Sequence, residues 1–161
     1  MTPNSTLIVV GLGNPLMGDD GVGVHILNRL RERTSEFPEV DFIDAGGAPM
    51  KVLHALVGRE CAVLIDCARM DEPPGTMKRF HPHDVVSRKK LTGISIHESD
   101  LLAILRMSQQ LGELPMTTVI FAIEPGEVAP GEGLSPVLEE RIEEYANTIF
   151  EELEALRTHQ S

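Results

Sequence analysis

Three unbroken apolar runs of strand length constrain this chain more than any other feature. They are Leu7–Leu12 (LIVVGL), Cys61–Ile65 (CAVLI), which opens a strand expected over Cys61–Cys67, and residues 119–123 (VIFAI). Runs this short, without polar alternation, belong to strands buried on both faces. Further strands are expected at residues 40–44 and 117–124, the latter enclosing the third run. Between them the period changes. Val22, Ile26, Leu27 and Leu30 share one helical stripe, residues 50–56 read as a short helix, and Leu101, Leu105, Ser108 and Leu111 mark another helix. A closing helix carries Ile142, Tyr145, Ile149, Leu153 and Leu156 on one face, with Ser135 as its N-cap and Pro136 at its first position. Strands alternating with helices predict an α/β three-layer sandwich: a mostly parallel, twisted sheet of about five strands with helices on both faces. One strand should run against the rest. Residues 76–80 follow the turn Pro73-Pro74-Gly75, and only residues 68–75 link them to the strand before. A parallel crossover takes about a dozen residues or more. Residues 81–96 read as a loop. The length favours a single domain spanning residues 1–161.

Charge narrows the function. Asp and Glu number 25 against 14 Lys and Arg, a formal charge of −11. Nucleic acid backbones and anionic membranes both call for the opposite sign, so neither is expected as a partner. The opening residues 1–6 lack a basic stretch ahead of an apolar one, and no apolar run approaches membrane-spanning length. Two cysteines, Cys61 and Cys67, make no disulfide scaffold and fit a reducing, cytoplasmic compartment. From residue 139 to the end, seven Glu and two Arg carry −5 of the total, which reads as a solvated helix face.

The glycine-rich stretch from Gly11 to Gly23 is not a phosphate loop. A dinucleotide fingerprint starting Gly11-x-Gly13 needs glycine at position 16, where Leu16 stands. Gly13-x4-Gly18 has P-loop spacing, but Asp19-Asp20 occupy the places of Lys and Ser/Thr. One aspartate there would be a helix cap; two in succession point to a cation site.

In sheets of this kind ligands bind beyond the carboxyl ends of the strands. Asp20 follows the first strand there, while Asp44 and Asp66 each end a strand. Asp alone at such a place is an ordinary turn former, yet Asp66, between Ile65 and Cys67, should have a partner. His97 stands at the entrance to the Leu101–Leu111 helical stripe. Should Asp20, Asp66 and His97 converge, two hard oxygens and one borderline nitrogen could hold a transition metal with coordination positions open. Other candidates are weaker. His97-Glu98 lacks the second histidine of a zincin, because Leu101 stands there. His81-Pro82-His83-Asp84 reads as a surface loop, Cys67 as a structural core thiol, and Met50, Met70, Met77, Met107 and Met116 as gap-fillers.

The chain resembles the hydrogenase maturation proteases, endopeptidases that trim the C-terminal extension of nickel–iron hydrogenase large subunits. The resemblance rests on Gly11-x-Gly13-Asn14-x-Leu16-x-x-Asp19-Asp20-Gly21-x-Gly23, then Asp44 with Gly46, Asp66 after an apolar strand, Pro74-Gly75, His97 before a helix, Pro125, and Gly133-Leu134-Ser135. It implies that Asp20, Asp66 and His97 bind metal and take part in catalysis. That metal would be nickel supplied by the substrate, or another divalent cation in its place. It also implies substrate contacts around Asp44, Gly46 and Gly47, and a large-subunit precursor as partner; the protein itself is expected to be a monomer. Two departures stand out. Some relatives have Glu at the Asp20 position, and the family's Gly-Gly-Thr after Asp44 reads Ala45-Gly46-Gly47-Ala48-Pro49 here. The rival readings are a peptidyl-tRNA hydrolase-like esterase, from the opening Gly11-Leu-Gly-Asn-Pro15, and a non-enzymatic metal-binding or metal-delivery module.

Overall fold

The computed structural model describes residues 5–84 and 98–160. Its sheet contains β1 (Leu7–Leu12), β2 (Val40–Gly46), β3 (Cys61–Cys67), β4 (Met77–Phe80) and β5 (Thr117–Ile123). They lie in the order β2-β1-β3-β5-β4. The β1/β2, β1/β3 and β3/β5 pairs are parallel, and β4 runs antiparallel to β5. The helices are α1 (Val22–Arg31), α2 (Pro49–Leu56), α3 (Glu98–Gln110), α4 (Pro136–Glu139) and α5 (Ile142–Gln160).

The apolar runs are continuous because each strand buries both faces. Leu7, Val9, Val63, Ile65, Val119 and Phe121 pack with α1 and α5. Their neighbours Ile8, Val10, Leu64, Ile120 and Ala122 pack with α2 and α3 on the opposite side. Burying a Leu, Ile or Val side chain contributes about 1.5–3 kcal/mol, so this two-faced core supplies the main drive for the fold. It also fixes register, since a slip by one residue would exchange the two faces.

Strand β4 has the expected direction, with β5 as its neighbour: Lys78 pairs with Ala122 and Met77 with Ile123. The link from β3 is stitched to the end of β5, where the Ala68 N–H donates to Ile123 O at 3.0 Å and the Gly75 N–H to Glu124 O at 2.8 Å. The closing helix differs from expectation. It divides into α4 and α5, because the backbone tightens between them and the Arg141 N–H bonds to Leu138 O. Its acidic residues are mostly exposed, as a solvated face requires. Glu152 is an exception, paired with Arg79 across the β4 edge. Only two of the five methionines are gap-fillers as expected. Met70 is buried and Met77 packs against the core, but Met50, Met107 and Met116 are exposed.

Chain order sends β1 through α1 to β2 on one side, then through α2 across to β3 on the other. With α1 and α2 on opposite faces, β1 and β3 flank the topological switch point, the usual position of a ligand cleft in such sheets. Glycine lets the chain close up there. Gly11 packs where a Cβ would meet Gly23 O at 2.7 Å, and a Cβ on Gly23 would collide with the Ile65 carbonyl oxygen. Gly23→Ala should therefore cost about 1–3 kcal/mol, the usual penalty of overpacking. Gly47→Ala, where a Cβ would meet nothing within 4 Å, should stay within about 0.5 kcal/mol. Urea denaturation of the two variants measures the contrast.

Candidate active site

Asp20 and Asp66 meet at the switch point. Asp20 leaves a short 3-10 turn (Gly18–Gly21) that follows β1, and Asp66 is the penultimate residue of β3. They are 7% and 1% exposed. The Asn14 N–H donates to Asp20 Oδ2 at 2.9 Å, and the Cys67 N–H to Asp66 Oδ1 at 2.8 Å. Both line a cleft of about 80 Å³ beyond the ends of β1 and β3. Gly13 and Asn14 form one wall, the stretch from Gly46 to Pro49 a second, and Leu101 and Ile104 of α3 a third. The third ligand predicted from sequence, His97, lies outside the described residues. Helix α3 begins at the next residue. Among the described residues no group of three or more His, Cys, Asp or Glu side chains could hold a metal ion.

Gly13 explains how Asp20 is carried. Its φ of +108° is a conformation L side chains avoid, and a Cβ there would collide with the Asp20 carbonyl oxygen. The Gly13 N–H also donates to Gly46 O at 2.8 Å, which ties the first loop to the second. Asp44 stands behind that second loop: its Oδ1 accepts the Gly46 N–H at 2.8 Å and fixes the turn at φ +50°. Gly46 and Gly47 line the cleft themselves, whereas Asp44 is not among its lining residues. In the departing sequence after Asp44, Ala48 is the N-cap of α2, Pro49 is its first residue, and both reach the cleft wall.

The two adjacent aspartates do not form one cation site. Asp19 is fully buried and points away from the cleft. Its Oδ2 accepts the N–H groups of Gly126 (2.7 Å) and Glu127 (2.9 Å) and the Ser135 hydroxyl (2.6 Å); its Oδ1 accepts the Ser135 N–H at 2.7 Å. Burial opposes its ionisation, but the Ser135 hydroxyl and the three backbone donors outweigh burial and hold its pKa below the ordinary 3.8. A carboxylate held by four donors, none of which lines the cleft, is committed to residues 126–135 rather than to a ligand there. The alternation of buried and pleated positions could not show this, because Asp19 and Asp20 lie in a turn rather than a strand.

Sequence reading also missed Glu124. It is 5% exposed, and its Oε1 accepts the Met70 N–H at 2.6 Å and the Glu72 N–H at 3.2 Å. It therefore holds the loop that follows Asp66. Only its place after an apolar strand hinted at a role.

Cys67 is a core thiol. Its side chain packs on the α1/α5 side of the sheet, and burial, reinforced by Asp66, Asp20 and Asp19, pushes its pKa far above the usual thiol range. His81 and His83 stand with parallel rings 6.0 Å apart at the far end of the sheet. His81 Nδ1 lies 3.2 Å from Thr118 O and His83 Nε2 3.1 Å from Asp84. They border a larger groove of about 500 Å³ that shares no residue with the carboxylate cleft.

The fold is a doubly wound α/β sheet with two buried carboxylates in a cleft at its switch point, and comparison with known proteins gives the class. The family model of hydrogenase maturation proteases matches residues 24–152. The hydrogenase 2 maturation protease of Escherichia coli is 29% identical over 140 residues, which span 85% of this chain and 84% of that protein. The hydrogenase expression/formation protein HupD of Thiocapsa roseopersicina is 27% identical over 143 residues, 88% of this chain but 65% of the relative's length. Among solved structures, the hydrogenase maturating endopeptidase HybD from E. coli superposes with a TM-score of 0.79 at 27% identity, covering 95% of this chain and 93% of the other. The chain belongs to the hydrogenase maturation protease family, whose members are endopeptidases.

Two measurements check the electrostatics. Both cysteines should resist a thiol reagent in the native state at about pH 8 and react only on unfolding, since a raised pKa leaves the Cys67 thiol protonated. The depressed pKa of Asp19 adds stability that is present above 3.8 and lost as pH falls through the lowered value. The stability gap between wild type and Asp19→Asn should thus shrink as urea unfolding is repeated from about pH 6 down to about pH 2.

Proposed function

We propose that this protein removes the C-terminal extension of a nickel–iron hydrogenase large-subunit precursor after nickel insertion. Asp20, Asp66 and His97 would recognise the nickel that the substrate carries. The observation behind the reading is that Asp20 and Asp66, far apart in sequence, line one cleft at the β1/β3 switch point. Family membership supplies the reaction class.

The substrate's metal docks against two carboxylate oxygens and an imidazole, a mixed donor set that suits a first-row transition metal and leaves coordination positions for substrate groups. Docking brings the scissile peptide into the cleft beside Asn14 and the Gly46-Gly47 turn. Asp20 and Asp66 orient the bound centre, and their negative charge favours a cation-bearing substrate over one without metal. Cleavage adds water across the peptide bond: hydroxyl to the carbonyl carbon, proton to the departing amine. The acidic surface fits a protein partner and no nucleic acid or membrane, and the protease works as a cytoplasmic monomer. Among the described residues no helix is long and apolar enough to cross a membrane.

Purified protein incubated with nickel-loaded precursor should shorten its C-terminus, read by mass spectrometry. Asp20→Asn, Asp66→Asn and His97→Ala should each lower kcat/KM by about 100-fold or more, since loss of a ligand should cost at least as much as the roughly 10–100-fold typical of a group that only orients one. Normal processing by all three variants would sink the site assignment. Nickel binding without cleavage would favour a metal-delivery module, and turnover of peptidyl-tRNA an esterase.

A further inference from the structure

The residues that end β5 and open α4 reach back to the loop that carries Asp20. Besides the four donors on the Asp19 carboxylate, the Asp19 N–H donates to Glu127 O and the Gly18 N–H to Gly131 O, both at 3.0 Å. The Gly131 N–H donates to Leu16 O at 2.8 Å. Residues 126–135 thus form a brace along one side of the loop, while Gly13 lies against the Asp20 carbonyl on the other.

Ser135 shows what the brace serves. It occupies the N-cap of α4, with extended backbone (φ −61°, ψ 154°) and Pro136 after it, yet its side chain makes no capping hydrogen bond. A serine at that position ordinarily accepts an N–H from the helix's first turn, a contact that contributes about 1 kcal/mol. Here the hydroxyl turns away and donates to Asp19 at 2.6 Å. A local rule broken without local benefit marks a residue used elsewhere. The adjoining Gly126 has no room for a side chain, since a Cβ would come within 2.9 Å of Ser135 Oγ and 3.2 Å of Asp19 Oδ2.

We propose that Asp19 and Ser135 are positioning residues for Asp20: the Ser135–Asp19 hydrogen bond fixes the turn Gly18–Gly21 so that the Asp20 carboxylate is aimed into the cleft before substrate arrives. The proposal rests on the metal-recognition reading given above. Asp19 touches neither metal nor substrate. It acts on its neighbour through one peptide link, and its own charge is satisfied by donors outside the cleft. Groups that orient a metal ligand typically change affinity or activity by about 10–100-fold when removed.

The test compares Ser135→Ala, Ser135→Thr and Asp19→Asn with wild type. Three quantities are read: Ni²⁺ affinity of the protease alone by calorimetry, kcat and KM on the nickel-loaded precursor, and thermal unfolding. Ser135→Ala should weaken Ni²⁺ binding and lower kcat/KM on the loaded precursor by about 10-fold, with KM raised because the substrate docks through its nickel, while the fold remains intact. Ser135→Thr, which keeps the hydroxyl, should restore both. Asp19→Asn should lose more, because an amide NH₂ would face the N–H donors. Wild-type kcat/KM and Ni²⁺ affinity in Ser135→Ala, with only the unfolding temperature lowered, would overturn the proposal and leave Asp19 a purely structural anchor. Asp20→Asn and Asp66→Asn run in the same assays separate the two ideas. If they too behave as wild type, the metal-recognition reading fails and the positioning role falls with it. If they lose Ni²⁺ while Ser135→Ala keeps it, the positioning role alone fails.

Discussion

The close approach of the first loop to the end of β3 is the constraint on which the rest of the site depends. Gly23 lies against the Ile65 carbonyl, the residue before Asp66, and Gly11 lies against Gly23 in turn. Each contact is closer than a Cβ would allow, so the start of α1 presses on the sheet as no other residue type would permit. This brings the turn carrying Asp20 beside the strand end carrying Asp66. Glycine in this loop therefore serves chain-on-chain packing, not the approach of a phosphate. The same feature that invites a nucleotide reading is what brings two carboxylates to one cleft.

Gathering acids at a strand edge costs energy unless each has a distinct solution. Asp19 is satisfied by four protein donors from residues 126–135. Asp44 spends an oxygen on the Gly46 N–H and shapes a turn. Glu124 spends one on the loop after β3. Asp20 and Asp66 are the acids that both line the cleft. Two like charges near one small cavity repel, and a divalent cation converts that repulsion into attraction. Acidic clustering here is thus three acids that hold loops and turns, arranged around a pair that lines the cleft.

Much of this was legible in the sequence. Continuous apolar runs announced the doubly buried strands, the short link announced the antiparallel β4, and strand-ending aspartates pointed to the edge of the sheet where the carboxylate cleft lies. What sequence could not show was direction within a turn. Asp19 and Asp20 are chemically identical neighbours, and only the path of the backbone sends one toward residues 126–135 and the other toward the cleft. Ser135 misleads for a related reason. Its helix-start pattern with Pro136 is genuine, since α4 begins there, but its hydroxyl answers to a tertiary partner 116 residues away. Glu124 and Asn14 went unassigned because the one accepts backbone N–H groups and the other donates its own, and neither kind of contact leaves a mark in the spacing of residue types.

On the function proposed above, the donor set explains why such a protease can test its substrate's state. Two carboxylates and one imidazole occupy three coordination positions and leave the others to the substrate, so protein and substrate must complete the shell together. A site with four strong protein ligands would hold its own ion and lose sensitivity to whether the precursor had been loaded. A site without carboxylates would bind empty and loaded precursors alike through peptide contacts alone. Discrimination is a difference in binding free energy between two partners, and here one of them lacks the cation. Asp20 and Asp66 add attraction for the loaded form and, through desolvation of a negative cleft with no cation in it, a penalty against the empty one. Rigid placement of Asp20 strengthens both effects, because a carboxylate free to swing into solvent would relieve that penalty.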